Sequence, residues 1–333
     1  MMRNWMVAAL VCASLFSGCS TEEADEEGTG VLLVSNRGAA TIARFERASK
    51  AEGAILPQTY LRGSNTRLAQ PGQLSYDSGT RRLIVPNGGD NSILFFEDVL
   101  NASESVPPRR FLTGIGTQLN RPVGVHHDSA HDQLYVANAG SNSVLIFGNA
   151  STIEGATAPL RTLSGSATKI SSISAIVLEP TTDRLWVADP VANALLVFNN
   201  ASTLNGNVPP NRYILGTNTK LLAPQSLLFI NKQLFVGCTS AILRFDASDS
   251  IDGNVAPTAV IQGSATLLSR PQQMVLRPDK EELFVVDAGA AAVLVYENPT
   301  TINGGPSPLR RIQGAQTGFA DPVGLALDFT ENQ

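Results

Sequence analysis

Apolar residues along this chain come in short blocks of strand length, separated by Gly, Asn, Asp, Ser and Pro, as in LYVANAGSNSVLIFGN from Leu134 onward. Blocks such as LYVA and VLIF are nearly continuous rather than alternating, which is the pattern of strands buried on both faces. The blocks also recur. Their leading residue appears as Leu32, Leu83, Leu134, Leu185, Leu234 and Leu283, at intervals of 51, 51, 51, 49 and 49 residues. A valine lies two residues on in each copy (Val34, Val85, Val136, Val187, Val236, Val285), and an aromatic closes the next block as Phe45, Phe96, Phe147, Phe198, Phe245 and Tyr296. A fixed period of about 20 to 50 residues signals a solenoid, a propeller or an array.

The polar positions keep the same beat. Each copy has a glycine (Gly63, Gly114, Gly165, Gly216, Gly263, Gly314) followed three residues later by a threonine (Thr66, Thr117, Thr168, Thr219, Thr266, Thr317). Six identical hydroxyls are best explained as fixing six identical loops. A second proline precedes the next apolar run as Pro71, Pro122, Pro224, Pro271 and Pro322, and Ile173 replaces it in the remaining copy. Within one copy, VGVHHD, QLYVAN, SVLIFG and LRTLSG read as strands separated by turn residues, with no sustained helical period between them.

Four antiparallel strands repeated around an axis predict an all-β, six-bladed β-propeller. The chain enters at a second-strand motif, VLLVSN, and leaves at a first-strand motif, PVGLALD from Pro322 to Asp328. The C-terminal strand is therefore expected to complete the first blade and close the ring. The fourth segment, with Arg62, Arg109, Arg110, Arg161, Arg212, Arg310 and Arg311, reads as a solvated outer rim whose charges discourage edge-to-edge association.

The first residues stand outside this pattern. Arg3 precedes a short apolar run from Trp5 to Phe16, then small residues and Cys19, the layout of a secretory signal too short to span a bilayer comfortably. The ending LFSGC resembles a bacterial lipobox, with Phe16 where leucine is usual; that resemblance implies lipidation at Cys19. The next stretch, STEEADEEGTG, repels itself and buries nothing, so it reads as a solvated tether. The expected division is a signal peptide at 1–18, a lipid-anchored acidic tether at 19–30 and a propeller at 31–330. The formal net charge is −5, and the run from Glu22 to Glu27 supplies five negative charges, leaving a near-neutral body without the basic field that nucleic acid requires. Of the three cysteines, Cys12 lies in the signal, Cys19 is the anchor and Cys238 is left alone, so no internal disulfide is expected.

Segments such as LYVANAGSNSV, LWVADPVANAL and LFVVDAGAAAV resemble the repeats of NHL and YVTN propellers, over Val31 to Asp328. That superfamily includes protein-binding modules, lactonases and lyases, so the resemblance implies a fold rather than an activity.

Candidate chemistry is sparse. Asn36, Asn87, Asn138, Asp189 and Asp287 follow the second strand of their copies, interrupted by Cys238. Around a central funnel such oxygens could bind a small ligand or a divalent cation such as Ca²⁺. The same residue types also bond the backbone of tight turns, which their recurrence favours. All three histidines fall in HHDSAH, where His127 and His131 are candidate metal ligands. His126 and His127 are adjacent in a strand and point to opposite faces. No Ser-His-Asp set and no phosphate-cradling glycine loop is present. The resulting expectation is an exported, monomeric binding scaffold at the bacterial cell envelope, on the outer membrane, without a cofactor. Its partner would be a protein, peptide or surface polymer, and its membrane contact the lipid alone. The alternative is a divalent-metal hydrolase or lactonase built on the Asn/Asp face.

Overall fold

The structure, a computed structural model, describes residues 29–330 apart from 180 and 247. The expected signal, Cys19 and nearly all of the tether lie outside the described residues. The described chain forms six sheets of four antiparallel strands each. In blade 3 these are an inner strand Pro122–Asp128, a second strand Gln133–Asn138, a third strand Ser143–Gly148 and an outer strand Arg161–Leu163.

Burial on both faces explains the continuous apolar blocks. Within blade 3, Leu134, Val136, Leu145 and Phe147 pack on Ile84, Ile93 and Phe95 of blade 2. Their neighbours Tyr135, Ala137, Val144 and Ile146 pack on Leu185, Val187, Leu196 and Phe198 of blade 4. Six such clusters occur, one for each junction between consecutive blades, the last joining blade 6 to blade 1. Each fully buried Val, Leu, Ile or Phe contributes about 1.5–3 kcal/mol, so the ring is held by side chains pointing both ways from every strand.

Closure follows the expected route. The C-terminal strand Pro322–Asp328 is the inner strand of blade 1, pairing antiparallel with Val31–Asn36 so that Val34 faces Leu325 and Leu32 faces Leu327. Tyr76 of blade 2 donates its hydroxyl to Asp328 at the end of that strand. Thus the last strand is fixed from its own blade and from the next.

The glycine–threonine motif works in all six copies. Each threonine hydroxyl donates to the carbonyl of the glycine three residues before it, at 2.7–2.8 Å. The same oxygen accepts a backbone amide two residues on in five copies that start at Leu68, Leu119, Ile170, Leu221 and Leu268, and at Phe319 in the last. At Gly165 φ is +110°, and a Cβ would lie 2.5 Å from the Asn207 side chain, so both backbone and space exclude a larger residue there.

The outer rim meets expectation at Arg62, Arg109 and Arg311, which are exposed, and differs at the others. Arg110, Arg161 and Arg212 are not solvated edge charges but reach into the neighbouring blade and donate to loop carbonyls. Arg110 bonds Ile153 at 2.8 Å, Arg161 bonds Ala201 and Leu204 at 2.9 and 3.1 Å, and Arg212 bonds Ser248 and Ile251 at 2.5 and 3.1 Å. In blades 1 and 5 the corresponding outer-strand residues are Thr59 and Ala259. There an arginine on the paired third-strand position substitutes: Arg44 opposite Thr59 reaches Leu100, and Arg244 opposite Ala259 reaches Thr300 at 2.6 Å. The guanidinium is thus kept at one place in space while moving between two places in sequence. Arg310 in blade 6 instead forms a forked pair with Glu282 at 2.8 and 3.0 Å.

Candidate binding funnel

The turns joining inner to second strands lie on one face of the ring and are self-contained. Asp128 closes its turn by accepting the Ala130 amide at 3.0 Å and bonding His131 Nδ1 at 2.8 Å. His127 is placed elsewhere, in a crevice with Tyr76, Asp77 and Ser129 that His131 does not line, and its Nε2 has no hydrogen-bond partner among the described residues. Burial pushes the His126 imidazole down to about 4, against the opposing pull of Asp128. Among the described residues no three His, Cys, Asp or Glu side chains converge as metal ligands would. Glu179 on this face is buried against Ser248, Trp186 and Arg184. Burial alone would raise its pKa, but these donors and the arginine more than offset it, leaving the carboxyl below its ordinary range.

The opposite face carries the Asn/Asp ring, and there the side chains are fully buried in the wall. Asn36, Asn87, Asn138, Asp189 and Asp287 are each 0% exposed. Each ties its second-strand hairpin to the segment entering the same blade. Asn87 Oδ1 accepts the Ala69 amide at 2.6 Å, Asn138 Oδ1 that of Asn120 at 2.6 Å, and Asn36 Oδ1 that of Ala320 at 3.3 Å. Asp189 accepts Ser171 and Ser172 amides at 2.7 and 3.1 Å, and Asp287 accepts Ser269 and Arg270 amides at 2.8 and 2.9 Å. In blade 5 a backbone bond takes over, Thr239 N to Leu222 O at 3.0 Å. Cys238 at that position is buried, and burial pushes its thiol up to about 12. It is therefore a packed, un-ionised group rather than a nucleophile.

What the ring holds in place is a funnel. The segments it anchors lead directly into Gln70, Arg121, Ser172 and Asp321, which line a polar cavity of about 740 Å³ at the centre of this face together with Arg37, Ser174, Gln225 and Gln272. That volume falls within the roughly 300–1,000 Å³ of ligand pockets. The floor is closed by side chains crossing the axis. Gln73 of blade 2 donates Nε2 to the carbonyls of Gln225 and Gln272, on blades 5 and 6, at 2.7 Å each. Gln273 clasps Leu74 N and O and the Leu325 amide at 2.7–2.9 Å.

The charges at the mouth are unequal. Asp321 is held by Arg37 at 2.7 Å and by Arg270 at 2.8 Å, whereas Arg121 has no acidic partner among the described residues. Gln70, Ser172, Gln225 and Gln272 likewise make no side-chain hydrogen bond among the described residues. Gln272 stands out among them, since it lines the cavity while only 6% exposed. Its stem is buried while its amide stays open to the cavity and is available to a ligand.

These residues escaped a reading built on recurrence. The positions flanking the second proline are Gln70, Arg121, Ser172, Ala223, Arg270 and Asp321 before it, and Gly72, Val123, Ser174, Gln225, Gln272 and Val323 after it. They vary from copy to copy beside a proline that is nearly constant. Variation against a constant frame was the available signal, because a fold needs the same residue in each blade and an asymmetric ligand does not.

The sequence matches no established family, and no curated protein matches it. Solved structures share the fold. A chain from a nidogen/laminin complex superposes with a TM-score of 0.58 at 12% identity, covering 90% of this chain and 98% of the other. A Bacteroides caccae protein of unknown function superposes at 0.59 with 9% identity, over 90% and 98% respectively.

Proposed function

We propose that this chain is an exported, lipid-anchored binding scaffold that presents its funnel to a protein, peptide or surface polymer at the bacterial cell envelope. One observation carries the reading: Gln70, Arg121, Ser172, Gln225 and Gln272 line the funnel with side chains that make no hydrogen bond or ion pair among the described residues, above a floor crossed by Gln73 and Gln273. A propeller of the same architecture occurs in a nidogen/laminin complex, a precedent for such a ring taking part in a protein assembly. Rigidity suits the role. Every blade packs on two neighbours, so the lip is preorganised and a partner finds it already shaped. Lipidation at Cys19, with the acidic stretch as a spacer, would hold the monomer at the outer membrane.

A photo-crosslinking residue placed at Ser172 in the mouth tests the reading against one placed at Ser129 on the opposite face. Discrete adducts in intact envelopes from position 172 and none from 129 are expected. Equal labelling from both would sink it. The anchor is tested separately: Cys19→Ala should lose incorporation of labelled lipid and cease to pellet with membranes.

A further inference from the structure

The funnel is chemically lopsided, and this deepens the binding reading above, on which it rests. At the blade 6–blade 1 junction Arg37, Asp321 and Arg270 form a group in which two cations share one anion, and across the ring on blade 3 stands Arg121, free of any acid among the described residues. Between Arg121 and Arg270, on blades 4 and 5, the lip is apolar. Pro190 lines the cavity; the same hairpin exposes Val191, 71% accessible, and the segment entering blade 5 exposes Leu222, 56% accessible. These two loops are joined, since the Ala223 amide donates to Asn193 Oδ1 at 2.7 Å. Gln70, Gln225 and Gln272, on blades 2, 5 and 6, add amides that each offer a donor and an acceptor.

We propose that the funnel takes an acidic peptide segment in extended form, with its carboxylate on Arg121, its backbone amides on the glutamines and an apolar side chain against Val191 and Leu222. A primary amide complements a peptide group at both ends, and an arginine fork complements a carboxylate. Gln272, whose stem is buried and whose amide is open to the cavity without a side-chain partner among the described residues, is where the inserted chain is gripped. Sugar acids fit less well, because among the described residues no aromatic ring lines the cavity for a pyranose face to stack on.

The test uses the full chain and fluorescence polarisation of two labelled hexapeptide pools. One pool fixes Glu at the third position within a background of Ala, Leu, Val and Ser; the other carries Gln there. The acidic pool should bind at least about tenfold tighter, the difference expected of one charge-assisted pair. Arg121→Gln should erase the preference, and Gln272→Met should weaken both pools, each with an unchanged circular dichroism melt. Equal binding of the pools, or a preference that survives Arg121→Gln, overturns the acidic assignment. Displacement of the acidic pool by oligogalacturonate or inorganic phosphate at lower concentration than by unlabelled peptide overturns the peptide. Failure of both pools to bind also overturns it. The funnel reading then stands or falls separately, on whether adducts still form from position 172.

Discussion

Blade 3 carries two arginines with opposite fates. Arg161, on the outer strand, spends its guanidinium on the Ala201 and Leu204 carbonyls of the next blade. Arg121, at the entrance to the inner strand, is exposed and makes no ion pair among the described residues. The same contrast recurs at several residues of the wall and the mouth. In the wall, polar groups such as Asp189, Thr168 and Arg161 are paired within the fold; at the mouth, Arg121, Gln70, Gln225 and Gln272 are not. Composition does not separate the two regions, because both contain arginines, amides and hydroxyls. Commitment does, and it identifies which polar residues are available for a partner.

The comparison can be broken most violently at the seam. Deleting 322–330 removes the inner strand of blade 1 and exposes the flank of blade 6, and we expect the cooperative thermal transition to disappear in calorimetry. A retained single transition would show that ring closure matters less than its pairing implies. Next in size is Asp189→Ala, which strips a carboxylate from the Ser171, Ser172, Val191 and Ala192 amides. Urea unfolding should shift by about 3 kcal/mol, since several buried donors lose their acceptor together.

Acid should weaken the wall more gradually. The carboxyls of Glu179 and Asp328 both titrate below their ordinary range. At Asp328 burial works upward and the donors Thr330 and Tyr76 more than compensate. A depressed folded-state pKa contributes stability that is complete above the unfolded value and is lost as pH falls through the folded one. Melting temperature should therefore begin to decline below the ordinary histidine pKa, where the unfolded chain takes up the proton that burial denies His126, and decline further below the usual carboxylate pKa; Glu179→Gln should flatten the second part of that decline. Smaller still is Arg161→Met, which keeps the stem and orphans the two carbonyls, at about 1–2 kcal/mol by urea titration. The smallest effect on folding belongs to Arg121→Gln, within about 0.5 kcal/mol as for an uncommitted surface residue. If Arg121→Gln proves as costly as Arg161→Met, the division between wall and mouth is false.

Much of this was legible in the sequence because a propeller repeats its physics. The beat of Leu32 through Leu283, the paired glycines and threonines, and the terminal strand all announced the ring, since each copy faces the same packing problem. The role of the Asn and Asp residues as turn braces was legible for the same reason. Arg161 and its counterparts were not. Their partners are carbonyls some 40 residues away in the next blade, and in blades 1 and 5 the function passes to Arg44 and Arg244, which breaks the sequence register while preserving the spatial one. The funnel residues were hidden differently. Gln73 and Gln272 belong to different copies and meet only because the ring brings inner strands to a common axis.

The crossing of Gln73 to the far strands has a consequence for traffic. With the axis barred, the funnel is a cul-de-sac: whatever enters must leave by the way it came. A polymer cannot be threaded through and ratcheted along, and a chain held at both ends can present only a loop. Free termini and protruding bends are thus the parts of a partner that can be held, and the dwell time of each is set at a single door.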